Sequence, residues 1–570
     1  MKGCETLSRF NLLDEPWVPV VVDKKGKTRD VSLQELFAEA HSYLDLAGDM
    51  KAQDFAVLRL LLAVLQTVFS RVDARGEPYP ELPLDDRFLP RTNVADSDAY
   101  LEALKDTWFD LWEAGQFPTV IGDYLAAWHD RFYLFDEAYP FYQVPQAVVA
   151  ADKLNQSKPT AIAGKNINRL ISESDNKISL FSPKYEAGDN KNRLTPQEVI
   201  RWLLTFQGYC GLSDKTIFGK EKYKVSKGWI FDLGGVILNG KNLFETLMLN
   251  LLLAHPEQEA YSLSRQTPCW EFSGAEIVRR SFEGEPVDNL AALYTNWARA
   301  IYMDPETDLS QPFSFQIVKL PEIDHQNAFI EPMTLWQYNQ TGSNKDQFTP
   351  RKHRYHQSLW RSFGLLTLTT GEAKDEAQHH KPAVISRYQA IEKNIHKPII
   401  ALEAISMEDN GKPTSWVPIN MIYDRLIVGD FLLTDLVDQG WVARINDEVN
   451  LVKLVVDGLY RGFMKTIAEI RNVPDKEKTG YCNRKSEALY AAIDGPFRQW
   501  LASLQANDDK EQQVTCWRQT LKDLALQVAE EVWHEAGTRD FKGIVTKDEQ
   551  TENIATAYNR FSGSLHKRLL

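Results

Sequence analysis

The chain has 570 residues, 43% hydrophobic and 25% charged, which is the composition of a globular protein with two to four domains. Its 65 basic and 79 acidic residues leave a net charge of −14, which excludes a protein that coats nucleic acid with its whole surface and leaves room for a local basic patch. The five cysteines form no CxxC pair, no apolar run approaches 18 residues and no hydrophobic region follows Lys2, so a reducing compartment, no membrane span and a soluble cytoplasmic protein are expected.

Residues 10–20, Phe-Asn-Leu-Leu-Asp-Glu-Pro-Trp-Val-Pro-Val, read as an opening β-strand. Pro16 and Pro19 forbid a helix and confine the segment to an edge strand or an extended arm, and Trp17 between them needs a packing partner. Val20–Asp23 followed by Lys24-Lys25-Gly26-Lys27 predicts a small hairpin. Ser32-Leu33-Gln34-Glu35 matches a capping box and opens a helix with Leu33, Leu36 and Phe37 on one face. Residues 51–71 are apolar almost all round, which predicts a buried helix. Further helices are expected over 98–130, then aromatic strands over Arg131–Phe135 and Tyr139–Val144 with a turn between them. Residues 151–195 are polar and too long for an ordinary loop, hence functional or mobile. A helix over 196–209, a lysine-rich loop over 214–228 and an apolar helix over 241–254 follow. Short strands, helices and polar loops alternate from 265 to 425. From about 445 the pattern becomes four helical segments, near 447–471, 485–506, 510–536 and 548–568, with short polar connections and almost no proline. The fold class is therefore α+β: a mixed α/β domain over 1–444, then an antiparallel four-helix bundle over 445–570.

No nucleotide-binding, hydrolase or zinc-protease motif is present. His353, His356, His379 and His380 are the best metal candidates, but no cysteine is near and adjacent histidines rarely share one ion, so no metal site and no cofactor are expected. Acidic pairs such as Asp508-Asp509 and Glu530-Glu531 read as solvated faces. Three segments and one strip offer binding chemistry instead. In Lys215–Gly228, Lys220, Lys222 and Lys224 can neutralise phosphates, Gly219 permits close backbone approach, and Phe218 and Tyr223 can stack or wedge; the plainer reading is a solvated loop. In Asn176–Lys184, Phe181 is either an exposed anchor for a partner's pocket, with Lys184 beside it, or a core aromatic. Met407–Thr414 predicts a hairpin whose tip is Asn410, Gly411 and Lys412. Lys345–Arg361 interleaves Arg351, Lys352, Arg354 and Arg361 with Tyr355 and Trp360, as either a backbone-binding strip or a solvated face.

The opening string resembles the start of the CasA family, the large subunits of the type I-E CRISPR surveillance complex Cascade, which begin Asn-Leu-Leu-x-x-x-Trp-Ile-Pro-Val; Val18 stands in place of the isoleucine. Phe132-Tyr133-Leu134 through Pro140-Phe141-Tyr142-Gln143 is similar to the family's Phe-Tyr-Leu…His-Pro-Phe-x-Gln, with Tyr139 in place of histidine. The mixed domain followed by a helical bundle is the family's layout. The resemblance implies a non-enzymatic protein that recognises the protospacer-adjacent motif (PAM) in double-stranded DNA and helps guide RNA separate the strands. It assigns minor-groove reading to a loop around Gly219, a strand-splitting wedge to the hairpin at 410–412, and a guide-RNA or subunit contact to the loop headed by Phe181. It also implies a lysine against the PAM duplex, for which Lys319 and Lys345 are candidates. The bundle would bind two small subunits and the displaced strand, and the larger domain would dock a helicase-nuclease. The rival readings are a metal-dependent hydrolase or nuclease built on 353–380, and a helical scaffold without a DNA role.

Overall fold

The computed structural model describes residues 10–80, 82–173, 180–181, 193–212, 216–284, 286–368, 380–395, 397–412, 415–546 and 548–569. It is a mixed α+β chain of two compact units. The first takes in Met1–Tyr355, Leu368–Ile391 and Leu402–Arg425; the second takes in His356–Thr367, Glu392–Ala401 and Leu426–Leu570.

In the first unit, β1 (Val18–Val21) pairs antiparallel with β2 (Thr28–Val31), Val18 opposite Val31, and on its other side with β3 (Asp45–Leu46). Of the strand expected over 10–20 only residues 18–20 are extended in the sheet, because the chain turns first, the Asp14 and Glu15 N–H groups both donating to the Asn11 carbonyl at 3.3 and 2.9 Å. β1 is the middle strand of three, where an edge strand or arm was expected. A four-residue strand tolerates Pro19 there because only the proline N–H is missing; its carbonyl still accepts from the Ala47 N–H at 2.8 Å. Leu12, Leu13 and Trp17 are completely buried, and the Trp17 indole N–H donates to the Leu12 carbonyl at 3.0 Å. α1 (Leu33–Glu39) starts as expected: the Ser32 hydroxyl accepts from the Glu35 N–H, and Leu33, Leu36 and Phe37 are buried.

α2 (Lys51–Phe69) is buried from Ala52 to its end. It is long and apolar enough to cross a membrane, a length the sequence reading did not credit, but the whole apolar window lies inside the protein. Its one deeply buried cation, Arg59, makes a two-pronged pair with Glu331, both contacts at 2.8 Å. α3 (Ser97–Ala114) and α4 (Val120–Ala127) follow.

The aromatic segments after α4 are not strands. The Asp136 carboxylate accepts from the Ala138 and Tyr139 N–H groups at 2.8 and 2.9 Å, and with Pro140 this bends the chain into turns. Phe132–Leu134 still lies along the opening segment: Leu12 N–H donates to the Phe132 carbonyl and Leu134 N–H to the Phe10 carbonyl, both at 2.9 Å.

β4 (Thr160–Ala163) leads to α5 (Pro196–Tyr209), which opens on a full capping box between Thr195 and Glu198. β5 (Gly235–Asn239) and α6 (Leu243–Asn250) come next. β6 (Arg299–Tyr302) and β7 (Ser314–Lys319) join β4 in a sheet ordered β4-β7-β6, with Arg299 opposite Lys319. β8 (Trp336–Tyr338) and β9 (Phe348–Pro350) form a hairpin. The long β10 (Ile399–Asp409) and β11 (Pro418–Gly429) extend β5 in the order β11-β10-β5.

The second unit is helical in its C-terminal part. Trp441–Lys453 runs through a π turn at Leu454–Tyr460 into Arg461–Ile470, and Asp475–Ser503, Lys510–His534 and Ile554–Leu569 follow. Trp500 stacks on Trp517 at 5.3 Å and Phe463 on Phe561 at 5.4 Å, which fills the space between these helices. The last helix begins at Ile554 rather than near 548, because a short helix at Thr538–Lys542 and the pair Ile544–Val545 with Thr551–Glu552 come first.

Candidate nucleic-acid interface

The lysine–glycine loop leaves the end of α5 at Cys210 and returns at Gly228. Its feet are closed by the Gly228 N–H, which donates to the Cys210 carbonyl at 3.0 Å. A Cβ at Gly228 would lie 2.1 Å from the Gly208 carbonyl carbon, so only glycine permits this approach. Further out, the Gly219 N–H donates to the Lys153 carbonyl at 2.8 Å and the Ile217 N–H to the Asn155 side chain at 3.0 Å. The Tyr223 hydroxyl accepts from the Phe218 N–H at 3.1 Å and donates to the Lys319 carbonyl at 2.6 Å. Phe282 meets both Phe218 and Tyr223 edge-on, at 6.0 and 5.1 Å. The two loop aromatics therefore anchor the loop to the frame. The exposed tip is Gly219, Lys220, Glu221 and Lys222. Gly219 has φ +64° and open space around it. Among the described residues Lys220 and Lys222 carry no ion pair, whereas Lys224, 75% exposed, pairs with Glu322 at 2.6 Å.

The hairpin tip stands between β10 and β11. The Asn410 carbonyl oxygen of the side chain accepts from the Lys412 and Val417 N–H groups at 3.2 and 3.3 Å, and its amide donates to the Ser415 hydroxyl at 3.3 Å. That side chain shapes the turn. Gly411 has φ +64°, its N–H donates to the Asp409 carboxylate at 2.8 Å, and Gly411 and Lys412 are exposed. The returning side of the turn sits on the end of α5: the Leu212 N–H donates to the Ser415 carbonyl at 2.7 Å, and a Cβ on Gly211 would lie 2.4 Å from the Ser415 and Trp416 carbonyl oxygens.

A shared carboxylate ties these pieces together. Asp232 pairs with Lys227 and, at 3.5 Å, with Lys352. Lys352 also reaches Asp409 at 3.1 Å and lies 3.8 Å from the Phe231 ring centre. The Lys227 amine is 5.2 Å from the Trp416 ring centre. Burial pushes the Asp232 carboxyl up, but the two lysine charges outweigh it and hold it below the usual carboxylate range. Three of the four segments singled out in the sequence, the lysine–glycine loop, the hairpin and the start of the basic strip, thus meet on one frame.

The other singled-out residues are placed as follows. Arg354 is exposed, Arg351 is half-buried with its N–H on the Leu335 carbonyl at 2.8 Å, and Lys345 lies exposed in the β8–β9 turn, 3.9 Å from Asp346. Lys319 is only 5% exposed, and its amine donates to the Leu212 carbonyl at 3.3 Å. Phe181 is 8% exposed, so its ring is a core aromatic and not an exposed anchor; Lys184 and His379 lie outside the described residues. His353 is buried and its Nε2–H donates to the Gly235 carbonyl at 2.8 Å; burial pushes its pKa down to about 4. His356 is exposed, and His380 stacks on Phe329 at 4.0 Å and pairs with Glu257 at 2.9 Å. Among the described residues no three His, Cys, Asp or Glu side chains are grouped to hold a metal ion. Lys227 and Asp232 were missed as organising residues; Lys227 lay in the noticed lysine run, while nothing local marks Asp232.

The family profile described as CRISPR-associated protein Cse1 matches residues 11–528. The chain belongs to the Cse1 family. A Cse1 relative, the CRISPR-associated protein CasA/Cse1 of Thermus thermophilus, is 30% identical over 313 residues. That alignment covers 53% of this chain and 50% of the relative, about half of its length. Thermobifida fusca Cse1 superposes with a TM-score of 0.74 at 23% identity over 98% of both chains. Thermus thermophilus CasA does so with a TM-score of 0.66 at 18% identity over 99% of both. A chain of a CRISPR RNA-guided surveillance complex superposes with a TM-score of 0.66 at 14% identity, over 98% of this chain and 99% of that one. The Cse1/CasA family is the one resembled by the opening string and by the Phe132–Gln143 motif.

Proposed function

We propose that this Cse1 family member is the large subunit of a type I-E Cascade, a non-catalytic protein that tests a short PAM in double-stranded DNA and starts strand separation for the guide RNA. The observation that carries the reading is the meeting of two exposed tips on one frame. One tip presents Lys220 and Lys222 beside Gly219, the other Lys412 beside Gly411. Exposed lysines attract phosphate, and a glycine at each tip lets backbone enter a groove that a larger side chain would block. The hairpin acts as a wedge beneath the motif. Base pairing with guide RNA supplies the rest of the sequence choice.

The net charge of −14 suits this division of labour. A patch of few lysines gives weak affinity for bulk DNA, so a complex samples motifs and leaves. The C-terminal helices are read as an antiparallel four-helix bundle over 445–570 that binds the small subunits and the displaced strand. The domain over 1–444 offers the docking face for the helicase-nuclease.

The test is a Cascade reconstituted with Lys220→Glu/Lys222→Glu. Binding to a motif-bearing duplex should fall at least about tenfold, with the complex still assembled. Unchanged binding by an intact complex would overturn the reading. The His353→Ala variant, assayed for nuclease activity and metal content, should match the parent protein in both.

A further inference from the structure

Arg299, the first residue of β6, is completely buried. Its main chain is gripped by Gln207, whose side-chain oxygen accepts from the Ala298 and Arg299 N–H groups, both at 3.0 Å, and whose amide donates to the Arg299 carbonyl at 2.9 Å. The guanidinium donates to the carbonyls of Ser226 at 2.6 Å, Ala298 at 2.8 Å and Gly211. Its Nε–H goes to the Glu173 carboxylate, whose side chain is also fully buried. Gly211 and Ser226 lie just inside the two feet, Cys210 and Gly228, of the loop that carries Gly219, Lys220 and Lys222. One planar cation therefore spans the mouth of that loop and holds both rims at fixed separation.

The chemistry needs arginine. Only the guanidinium fork points several donors in set directions from one rigid plane; an ammonium cannot reach both rims in the same geometry. The countercharge on Glu173 lets the cation stay buried, since removing one member of such a pair leaves an uncompensated ion. The loop does not depend on Arg299 for attachment, because the Gly228–Cys210 bond and the contacts of Gly219, Tyr223 and Ser226 to the frame are separate.

We propose that Arg299, held by Glu173, is a positioning residue that sets how the loop presents its tip, and so controls discrimination between DNA motifs rather than attraction to DNA. This rests on the reading of the loop as a DNA contact. Attraction between lysines and phosphates is sequence-independent and acts over a Debye length of about 8 Å, so a small shift of the tip leaves it intact. Reading a groove requires placement within about 0.5 Å. Loosening the loop's mouth should therefore separate the two properties.

The experiment compares Cascade carrying Arg299→Lys with the parent complex, on a motif-bearing duplex and on the same duplex with the motif scrambled, across a salt series. The ratio of the two affinities should fall about tenfold, while scrambled-duplex affinity and the slope of log K against log salt stay within error. The double variant Arg299→Gln/Glu173→Gln removes both buried charges together and is read in the same way, so that loss of folding in the single variant does not decide the matter. An unchanged ratio in an assembled complex, with only unfolding temperature or assembly lowered, would overturn the proposal. A parallel Lys220→Ala/Lys222→Ala complex separates the two layers: if it too binds both duplexes like the parent, the loop's DNA role fails and the positioning role with it; if it binds weakly while Arg299→Lys discriminates normally, the positioning role alone fails.

Discussion

The amine of Lys352 lies 3.1 Å from the carboxylate of Asp409, at the base of the hairpin whose tip is Lys412. The same amine reaches Asp232 at 3.5 Å, and Asp232 takes Lys227 from the lysine–glycine loop. Lys352 is thus a strut between two exposed tips, and at 23% side-chain exposure it has little freedom to leave its partners for a phosphate. Replacing it with methionine keeps the stem over Phe231 and removes the charge. Lys352→Met should lower stability by about 1–2 kcal/mol in urea unfolding while changing the salt slope of DNA binding far less than loss of an exposed lysine.

Lys220 and Lys222 stand in the opposite condition, exposed and without ion pairs among the described residues. A lysine that neutralises one phosphate contributes about 0.9 to the slope of log K against log salt. Lys220→Ala/Lys222→Ala should leave the unfolding curve of the protein unchanged and reduce that slope by up to about 1.8, measured by titrating the assembled complex with a motif-bearing duplex at several salt concentrations. An unaltered slope would remove both lysines from the interface.

Two glycines near these lysines are needed for different reasons. A Cβ on Gly211 would meet two backbone oxygens of the hairpin at 2.4 Å, and neither can retreat without moving the turn. Gly211→Ala should cost about 1–3 kcal/mol of stability, the usual penalty of overpacking. Gly219 has open space, so Gly219→Ala meets only the strain of its left-handed φ of +64°, about 1 kcal/mol. The expected result is a stability loss concentrated in Gly211→Ala and a DNA-binding loss, in a protein that unfolds almost normally, in Gly219→Ala. Paired unfolding and binding curves check it.

How much of this was visible beforehand depends on the range of the interaction. The Ser32 cap, the buried α2, the position of α5 and the helical character of the C-terminal region follow from local period and capping chemistry, and the chain shows them; the starts of the helices expected at 485 and 548 do not, lying at Asp475 and Ile554. The middle position of β1 does not, because it is decided by Leu46, which lies in no predicted element. The burial of Lys319 was legible: period two along β7 puts it in the row of Phe315 and Ile317, both buried, which tells against the PAM-duplex contact for which it is a candidate. Arg299 is a lone charge in Trp-Ala-Arg-Ala-Ile, a local mark of a buried cation that the sequence reading passes over, and its countercharge lies 126 residues earlier with no local pattern to connect them. Pairing across such distances is what sequence periodicity leaves out, and the frame that joins the lysine–glycine loop to the hairpin through Asp232 is built of it.

The buried titratable groups give the first unit two opposing responses to pH. Burial pushes the His353 imidazole from its usual 6.5 down to about 4, although its Nε2–H is satisfied by the Gly235 carbonyl. The unfolded chain binds this proton more tightly, so the contribution of His353 is intact above about 6.5 and is lost as pH falls to about 4, on the order of 3 kcal/mol in all. Asp54 behaves in reverse. Burial raises its carboxyl to about 7, against the pull of Lys51 at 3.6 Å and the Gly48 N–H at 2.7 Å. Its folded form holds the proton more tightly, so its contribution is full below about 4 and is lost as pH rises through about 7. Urea unfolding of the parent protein, His353→Gln and Asp54→Asn over this range should show the two effects separately. The parent's advantage over His353→Gln should shrink as pH falls, because glutamine keeps a donor for Gly235 but cannot be protonated. Its advantage over Asp54→Asn should shrink as pH rises, because asparagine keeps the acceptor for Gly48 without the buried charge. Parallel slopes for the two variants would show that the pH dependence arises elsewhere.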